Sequence, residues 1–208
     1  GETQPLRRAT FRLLAEDAAA ASRHFGKGQF TVEEGGMRPR VGALLFVKSY
    51  PTSTWPGMLD ALGASRDVII THSYSPIERT GIAERVKRRV AQMRAADDIA
   101  ATIEAQLFEA ADKAESGMLG FGLHQMTITI FADDAAALET EVARIRGIAH
   151  QNGMRLVCEV TALEAGVFAM HPGNMDYRAR DMTVSSINFA DLAALHAADT
   201  GTGAEALP

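Results

Sequence analysis

The sequence is short of several features, and each absence removes a class of function. It contains one cysteine, Cys158, so it forms no intramolecular disulfide and suits a reducing compartment. No uninterrupted apolar run reaches the roughly 18 residues that span a bilayer. A phosphate-binding loop of the form Gly-x-x-x-x-Gly-Lys-Ser/Thr does not occur, and the glycine pairs at 26–28 and 201–203 are too short to replace it. The chain therefore lacks the usual motif for binding nucleotide phosphates.

Charge and histidine spacing argue against two further kinds of site. The formal net charge of −5 gives no general affinity for nucleic acid, and no direct nucleic-acid partner is expected. The six histidines are scattered without a His-x-x-x-His spacing, so no metal site is expected. We accordingly predict no catalytic, cofactor-binding or metal-binding residue. At 47% hydrophobic and 23% charged residues, the composition is that of an ordinary globular domain.

Hydrophobic periodicity predicts four strands, over residues 41–47, 67–72, 123–131 and 156–160. The first is apolar throughout and should be buried on both faces, whereas the third alternates and should be half-buried. Helices are predicted over residues 6–25, 54–63, 76–115, 133–152 and 163–170, with a loop or weak hairpin over 26–40. Cys158 is interpreted as a small core side chain, and Asn188 as the N-cap of a last helix.

The order strand, helix, strand, insertion, strand, helix, strand predicts an α+β, ferredoxin-like fold. This is a split β-α-β antiparallel sheet with helices on one face, here with extra N- and C-terminal helices. The predicted organisation is an N-terminal helix and loop (1–40), a ferredoxin-like core (41–160) with a helical insertion (76–116), C-terminal helices and a turn (161–196), and a linker or tail (197–208).

The insertion joins two strands that are neighbours in this fold, so its ends should lie close together. One straight helix of about 40 residues would carry the chain roughly 60 Å away. A helical hairpin that turns near residues 95–98 would bring it back, and would place the basic first half beside the acidic second half. No glycine or proline marks the turn, so one helix and a hairpin both stay open, with the hairpin favoured.

Three blocks in collinear order carry a resemblance to a known family. The first holds Lys48, Tyr50 and Pro51 with Trp-Pro-Gly-Met-Leu-Asp at 55–60, and the second is Gln-Met-Arg-Ala-Ala-Asp-Asp at 92–98. The third is Pro-Gly-Asn-x-x-Tyr-Arg-x-Arg at 172–180, followed by Ser-Ser-x-Asn-Phe-Ala-Asp-Leu-Ala-x-Leu-His at 185–196. Together they resemble the segment that precedes the nucleotide-binding domain in the VirB/TrbE/CagE family, the large ATPases of type IV secretion and conjugal transfer.

This resemblance implies a non-catalytic N-terminal portion of a longer protein. ATP hydrolysis, with ATP and Mg as cofactors, would belong to a separate C-terminal domain. The chain would be a docking and assembly module, cytoplasmic and peripheral at the bacterial inner membrane. The implied partners are other copies of the same ATPase, the inner-membrane subunits of the secretion channel, and the chain's own C-terminal ATPase domain.

Candidate partner or interdomain contacts lie in the predicted insertion and beside the first predicted helix. Arg85, Arg88 and Arg89 share one helix face. This face would bind phosphate or an acidic lipid headgroup, contact an acidic partner subunit, or stay solvated and paired with local acids. Trp55 either anchors the first helix on the sheet or contacts a partner.

A third candidate is a dense polar cluster in the C-terminal segment, formed by His171, Asn174, Tyr177, Arg178 and Arg180. Its side chains would hold a turn or meet a neighbouring subunit. The alternative is a self-standing ferredoxin-like enzyme or ligand-binding module, with an imidazole base and a guanidinium clamp for an anion. Sequence order alone specifies no set of nucleophile, base and orienting group, so the structural interpretation is favoured.

Overall fold

The computed structural model describes residues 22–33, 38–62, 67–95, 101–171 and 173–193, which form a mixed α and β architecture. The strands are β1 (Ser22–Phe25), β2 (Phe30–Glu33), β3 (Arg40–Ser49), β4 (Val68–Pro76), β5 (Phe121–Ala132), β6 (Arg155–Cys158) and β7 (Met182–Ser185). The helices are α1 (Arg79–Ala95), α2 (Ala101–Glu115), α3 (Ala135–Gln151), α4 (Leu163–Ala169) and α5 (Ser186–Leu192), with a 3₁₀ turn at Met175–Tyr177. No described helix combines the length and apolar character that a membrane span requires.

The strands of the described residues form one antiparallel sheet around β5. This strand pairs with β4 along one edge, and with β3 and β7 along the other. β3 pairs in turn with β2 near its start and with β6 near its end. A line across the sheet at the end of β3 therefore meets the strands in the order β6, β3, β5, β4. The prediction of an antiparallel α+β fold is confirmed at this level.

The first described residues form a β-hairpin. β1 and β2 pair through a turn at Gly28, whose φ of 81° favours glycine. Phe25 and Phe30 pack across this hairpin with ring centroids 6.0 Å apart. The helix predicted over residues 6–25 is therefore wrong for residues 22–25, because Phe25 belongs to the sheet, and residues 6–21 lie outside the described residues. The weak hairpin predicted for part of 26–40 is confirmed as the turn and β2.

β3 is buried on both faces, as its apolar run predicts. Leu45 and Val47 belong to a core that also holds Leu138 and Ile145 of α3. On the opposite face, Phe46 packs with Leu163 and Val167 of α4, and Leu44 belongs to the same cluster. The prediction of helices on one face only is therefore wrong. The reason is that the segment after β6 crosses to the second face, where it also covers the polar side of β5.

Gly166 allows α4 to lie directly on β3. A Cβ atom at this position would lie 2.4 Å from Cδ2 of Leu44 and 2.9 Å from Cζ of Phe46, and both side chains are fully buried. We expect Gly166→Ala to lower the free energy of unfolding by about 1–2 kcal/mol through overpacking. Gly147→Ala in α3 is the matched control, because no atom lies within 4 Å of its Cβ position. Gly147→Ala should raise the free energy of unfolding by up to about 1 kcal/mol, because alanine favours the helix more than glycine does. Urea unfolding measures both variants, and a Gly147→Ala variant less stable than Gly166→Ala would contradict this expectation.

The helix predicted over residues 54–63 is wrong for the described residues 54–62, which form successive turns. Their hydrogen bonds link residues three apart, as from the N–H of Met58 to the C=O of Trp55 and from Leu62 to Leu59. Gly57 has a φ of 81°, which no regular helix contains. Met58, Leu59 and Leu62 nevertheless point into the core as predicted, with at most 3% of their surface exposed.

The helical insertion is a hairpin, which confirms the favoured prediction. Ile82, Val86 and Val90 of α1 form one apolar cluster with Ala111 and Ala114 of α2. The ion pairs Lys87–Glu84 and Lys113–Glu109 each lie within one helix. The described contact that joins the two helices is this apolar seam. Residues 96–100, which include most of the turn predicted near 95–98, lie outside the described residues.

Candidate functional site

The C-terminal segment 173–181, which precedes β7, lies on the face of the sheet opposite α3, and Gln125 of β5 helps to hold it there. The Oε1 atom of this buried side chain accepts hydrogen bonds from the N–H groups of Ala179 at 2.9 Å and Arg180 at 2.8 Å. The guanidinium of Arg178 donates to the C=O of Leu123 at 3.4 Å. The C-terminal segment thus covers the polar side of β5, so the prediction of a half-buried strand is wrong.

Glu159 and Arg180 form an ion pair at the start of α4. The side chain of Glu159 is 1% exposed, and its Oε2 accepts from Nε of Arg180 at 2.6 Å. Its Oε1 accepts from the backbone N–H groups of Val160, Thr161 and Ala162 at 2.8–3.2 Å. The guanidinium of Arg180, half-exposed, also lies 6.0 Å from the ring centroid of Phe46. Glu159 therefore joins β6, α4 and the C-terminal segment through one carboxylate.

The environment of this pair explains its charge state. Burial by itself would raise the pKa of Glu159, but the hydrogen bonds from Arg180, Ala162 and Thr161 outweigh burial and hold the pKa below its usual value. The hydrogen bond from Glu159 likewise raises the pKa of Arg180. Both groups are charged at neutral pH, and the acid's oxygens are occupied. Sequence analysis found Arg180 but missed Glu159, because a charged side chain in the predicted strand 156–160 gave no signal of burial.

The other members of the predicted cluster form a turn. The N–H of Asn174 donates to the C=O of His171 at 3.2 Å, and its side-chain amide donates to the C=O of Phe168 at 3.2 Å. The N–H of Tyr177 donates to the C=O of Asn174, while its ring is 52% exposed and 6.1 Å from that of Phe168. His171, Asn174 and Tyr177 are therefore brought together, whereas Arg180 pairs with Glu159. These contacts match the favoured interpretation, in which the cluster holds a turn.

Sequence analysis missed a histidine pair on the α3 face of the sheet, in which His124 is buried and His72 is partly buried. His72 of β4 and His124 of β5 stack with ring centroids 5.3 Å apart, and Nδ1 of His72 lies 3.0 Å from Nε2 of His124. The hydroxyl of Tyr50 lies 2.8 Å from Nδ1 of His124. Phe189 of α5 packs edge-on against both imidazoles. The sequence did hold a signal for His124, because it alternates in phase with Met126, Ile128 and Ile130 and so lies on the same, buried face of β5.

Burial controls the protonation of this network. It lowers the pKa of His72 to about 4, and burial together with the neighbouring His72 lowers the pKa of His124 to about 3. Burial also raises the pKa of the Tyr50 hydroxyl. All three groups are neutral at pH 7 as a result. The network can donate and accept hydrogen bonds in the core, but it carries no charge there.

α5 is fastened to the turns that follow β3. Ser185 is its N-cap, since Oγ of Ser185 accepts from the N–H of Asn188 at 3.1 Å, so the prediction of Asn188 as the cap is wrong. The Asn188 amide instead donates to Oγ1 of Thr54 at 3.1 Å, and this hydroxyl donates to Asp191 at 2.6 Å. These bonds join Thr54, which lies between the two parts of the first sequence block, to the third block more than 130 residues later.

The two predicted arginines of α1 with described side chains border a groove. Arg85 and Arg88 are exposed and line a cavity of about 500 Å³ between the helical hairpin and the start of β5. Its apolar lining includes Ile77, Val86, Leu107, Phe121 and Met182. We call this cavity the arginine groove.

The remaining predicted contact residues lie apart from the groove's described lining. The side chain of Arg89 lies outside the described part of the structure. Trp55 is 46% exposed in the turns after β3, so its interpretation as a buried anchor of a helix is wrong. Cys158 is exposed rather than buried in the core, because it is the last residue of an edge strand.

Fold and site together define an α+β domain whose buried polar groups fasten its own segments and whose exposed side carries an apolar groove with a basic border. The chain belongs to the CagE, TrbE, VirB family, a component of the type IV transporter system, whose family model matches residues 1–180.

Curated relatives agree with this assignment. The type IV secretion system protein virB4 of Bartonella henselae is 32% identical over 194 residues, which cover 92% of this chain and 24% of the relative. Protein virB4 of Agrobacterium fabrum is 30% identical over 78% of this chain and 21% of its own length. The type IV secretion system protein PtlC of Bordetella pertussis is 29% identical over 76% of this chain and 19% of its own length. The chain thus spans about a quarter or less of the relatives it matches.

Proposed function

We propose that this chain is a non-catalytic N-terminal docking and assembly domain of a type IV secretion ATPase, in which a separate domain binds ATP and Mg. The observation that carries the proposal is the family match over most of this chain, against a quarter or less of the relatives' length. The missing phosphate loop supports the same division of labour. The domain would act at the cytoplasmic face of the inner membrane, where it would meet membrane subunits of the channel, its own motor domain and further copies.

The finer fold assignment is part of this proposal. We infer a ferredoxin-like core built on β3, β4, β5 and β6, and the order β6, β3, β5, β4 with α3 between β5 and β6 supports it. Turns take the place of the helix between β3 and β4, and a helical hairpin extends the link between β4 and β5.

The arginine groove is the surface that we propose for docking. Its floor is apolar and its border carries Arg85 and Arg88, a combination that suits an amphipathic segment with acidic flanks. Burial of such a segment's apolar side chains would supply affinity, and the guanidinium groups would select for acidic neighbours. The occupant we propose is an acidic segment of an inner-membrane subunit of the channel.

Co-purification with the membrane subunits of the same operon tests this proposal. Reversing both border charges, with Arg85→Glu and Arg88→Glu, should reduce recovery of the membrane subunits at least about tenfold, because the groove would then repel acidic residues. The matched control reverses two exposed lysines of the same hairpin, with Lys87→Glu and Lys113→Glu, and should leave recovery near the wild-type level. Equal losses in the two double variants would contradict docking at the groove.

The purified chain should also hydrolyse no ATP. Turnover that a single substitution within these 208 residues abolishes would overturn the non-catalytic role, whatever the co-purification shows.

A further inference from the structure

The outer edge of β4 exposes backbone groups that point away from β5. In an antiparallel pair, alternate residues bond to one neighbour and the residues between them point to the other side. The N–H of Ile77 donates to the C=O of Phe121 at 2.8 Å, in register with the β4–β5 pairing. At the other end, the C=O of Asp67 accepts from the N–H of Phe131 at 2.8 Å. Odd-numbered residues thus bond to β5, and the outward residues are Val68, Ile70, His72, Tyr74 and Pro76.

Among the described residues, this edge lacks the protection that natural edge strands usually carry. Such strands are short, or hold lysines and other charges, or are interrupted by proline. β4 has nine residues without an Asp, Glu, Lys or Arg, and within the described residues it pairs with β5 alone. Pro76 occupies an outward position, so it removes one donor at the end of the strand only. Ile69, near the opposite end, is 48% exposed.

We propose that β4 is a self-association edge, on which β4 of a second copy adds antiparallel and continues the sheet through both molecules. The position of Pro76 selects the register. If Val68 pairs with Tyr74 of the second copy and Ile70 with His72, every outward N–H finds an acceptor and Pro76 stays beyond the ladder. Moving the register by two, so that Val68 faces Pro76, would lose a donor at each end. The two-fold axis then passes beside Thr71, which faces Thr71 of the second copy.

The strand is its own complement in this register, which is what favours a second copy. A two-fold interface brings the same patch of both molecules together, so like charges must be kept away from the axis. The neutral strand meets this condition, and Asp67 at its start would face the uncharged Ser75. The inference rests on the proposed assembly function, because it names the surface through which copies of the domain would join.

Disulfide trapping of the full 208-residue chain tests the pairing and its register. In a Cys158→Ser background, Thr71→Cys would place two cysteines opposite each other with Cα atoms about 4.5 Å apart, within disulfide reach. Ile69→Cys is the matched control, because the two copies of residue 69 would be four residues apart, about 13 Å, along the paired strands. Mild oxidation should give at least about tenfold more covalent dimer with Thr71→Cys than with Ile69→Cys.

Sedimentation of the same chain provides a second measurement. Thr71→Lys would oppose two ammonium groups at the axis and should weaken dimerisation at least about tenfold. Gln151→Lys, at an exposed residue at the end of α3, should not weaken it. A wild-type chain that stays monomeric at high concentration, or equal trapping at positions 69 and 71, would overturn the inference. A chain that is monomeric but still co-purifies with the membrane subunits would overturn the β4 pairing and leave the proposed docking function intact. If Thr71→Lys changes the circular dichroism spectrum, the trapping result decides.

Discussion

Replacing Glu159 with alanine should lower the free energy of unfolding by about 3 kcal/mol. Removing one member of a buried ion pair typically costs about 3–5 kcal/mol, and the lower end applies because Arg180 is half-exposed. The loss has two sources. Three backbone N–H groups before α4 lose their acceptor, and Arg180 loses the partner that holds the C-terminal segment on the sheet. Urea unfolding followed by circular dichroism measures the change.

Two comparisons make this expectation specific. Arg180→Ala should cost less, about 1 kcal/mol, because the carboxylate keeps its backbone donors. Glu139→Ala removes an exposed carboxylate from α3 and should stay within about 0.5 kcal/mol of wild type. A cost for Glu159→Ala that does not exceed that of Glu139→Ala would show that the carboxylate fastens nothing.

Acid should remove the advantage that Glu159 confers. Since its folded pKa lies below the unfolded value, its contribution is complete above about pH 4.3 and is lost as the pH falls through the folded pKa. The difference between wild type and Glu159→Ala should therefore narrow below about pH 4.

Acidification from pH 7 to pH 5 should lower the free energy of unfolding by about 2 kcal/mol for each histidine of the His72–His124 pair. The unfolded imidazoles take up protons near pH 6.5, whereas the folded ones resist protonation until about pH 4 and about pH 3. The unfolded chain thus binds more protons in this interval, and stability falls as the pH is lowered. Unfolding curves at several pH values, all above the range in which carboxylates titrate, measure the slope.

Substitution of the pair should flatten this pH dependence. His124→Gln keeps a hydrogen-bonding side chain beside Tyr50 and should remove roughly half of the slope, and the double variant with His72→Gln should remove most of it. His150→Gln changes an exposed histidine of α3 and is the matched control. A slope in the double variant equal to that of wild type would mean that groups elsewhere cause the pH dependence.

The parts of the fold that sequence analysis predicted are those determined locally. The apolar run of β3 requires cover on both faces wherever that cover comes from, and the spacing of Ile82, Val86 and Val90 requires a helical partner. Arg85 and Arg88 were placed on one helix face by the same spacing, and both border the arginine groove.

The parts that were missed depend on partners far along the chain. Gln125 has a polar side chain in an alternating strand, which indicates exposure until Ala179 and Arg180, more than 50 residues later, donate to it. Glu159 looks like a surface carboxylate for the same reason. The turns at 54–62 have the composition of a short helix, but Gly57 at positive φ and the bonds from Thr54 to α5 hold them in another conformation. Helix and strand propensities contain no information about such distant contacts.

The hairpin of α1 and α2 has a consequence for how quickly the sheet forms. Strands β4 and β5 are separated by more than 40 residues, and bringing such distant segments together is slow because the intervening chain loses entropy first. Helices form within about a microsecond, and their apolar seam would draw Pro76 and Phe121 together before any strand has paired. The longest ladder of the sheet should then close as rapidly as a local β-hairpin, with folded helices in place of its turn.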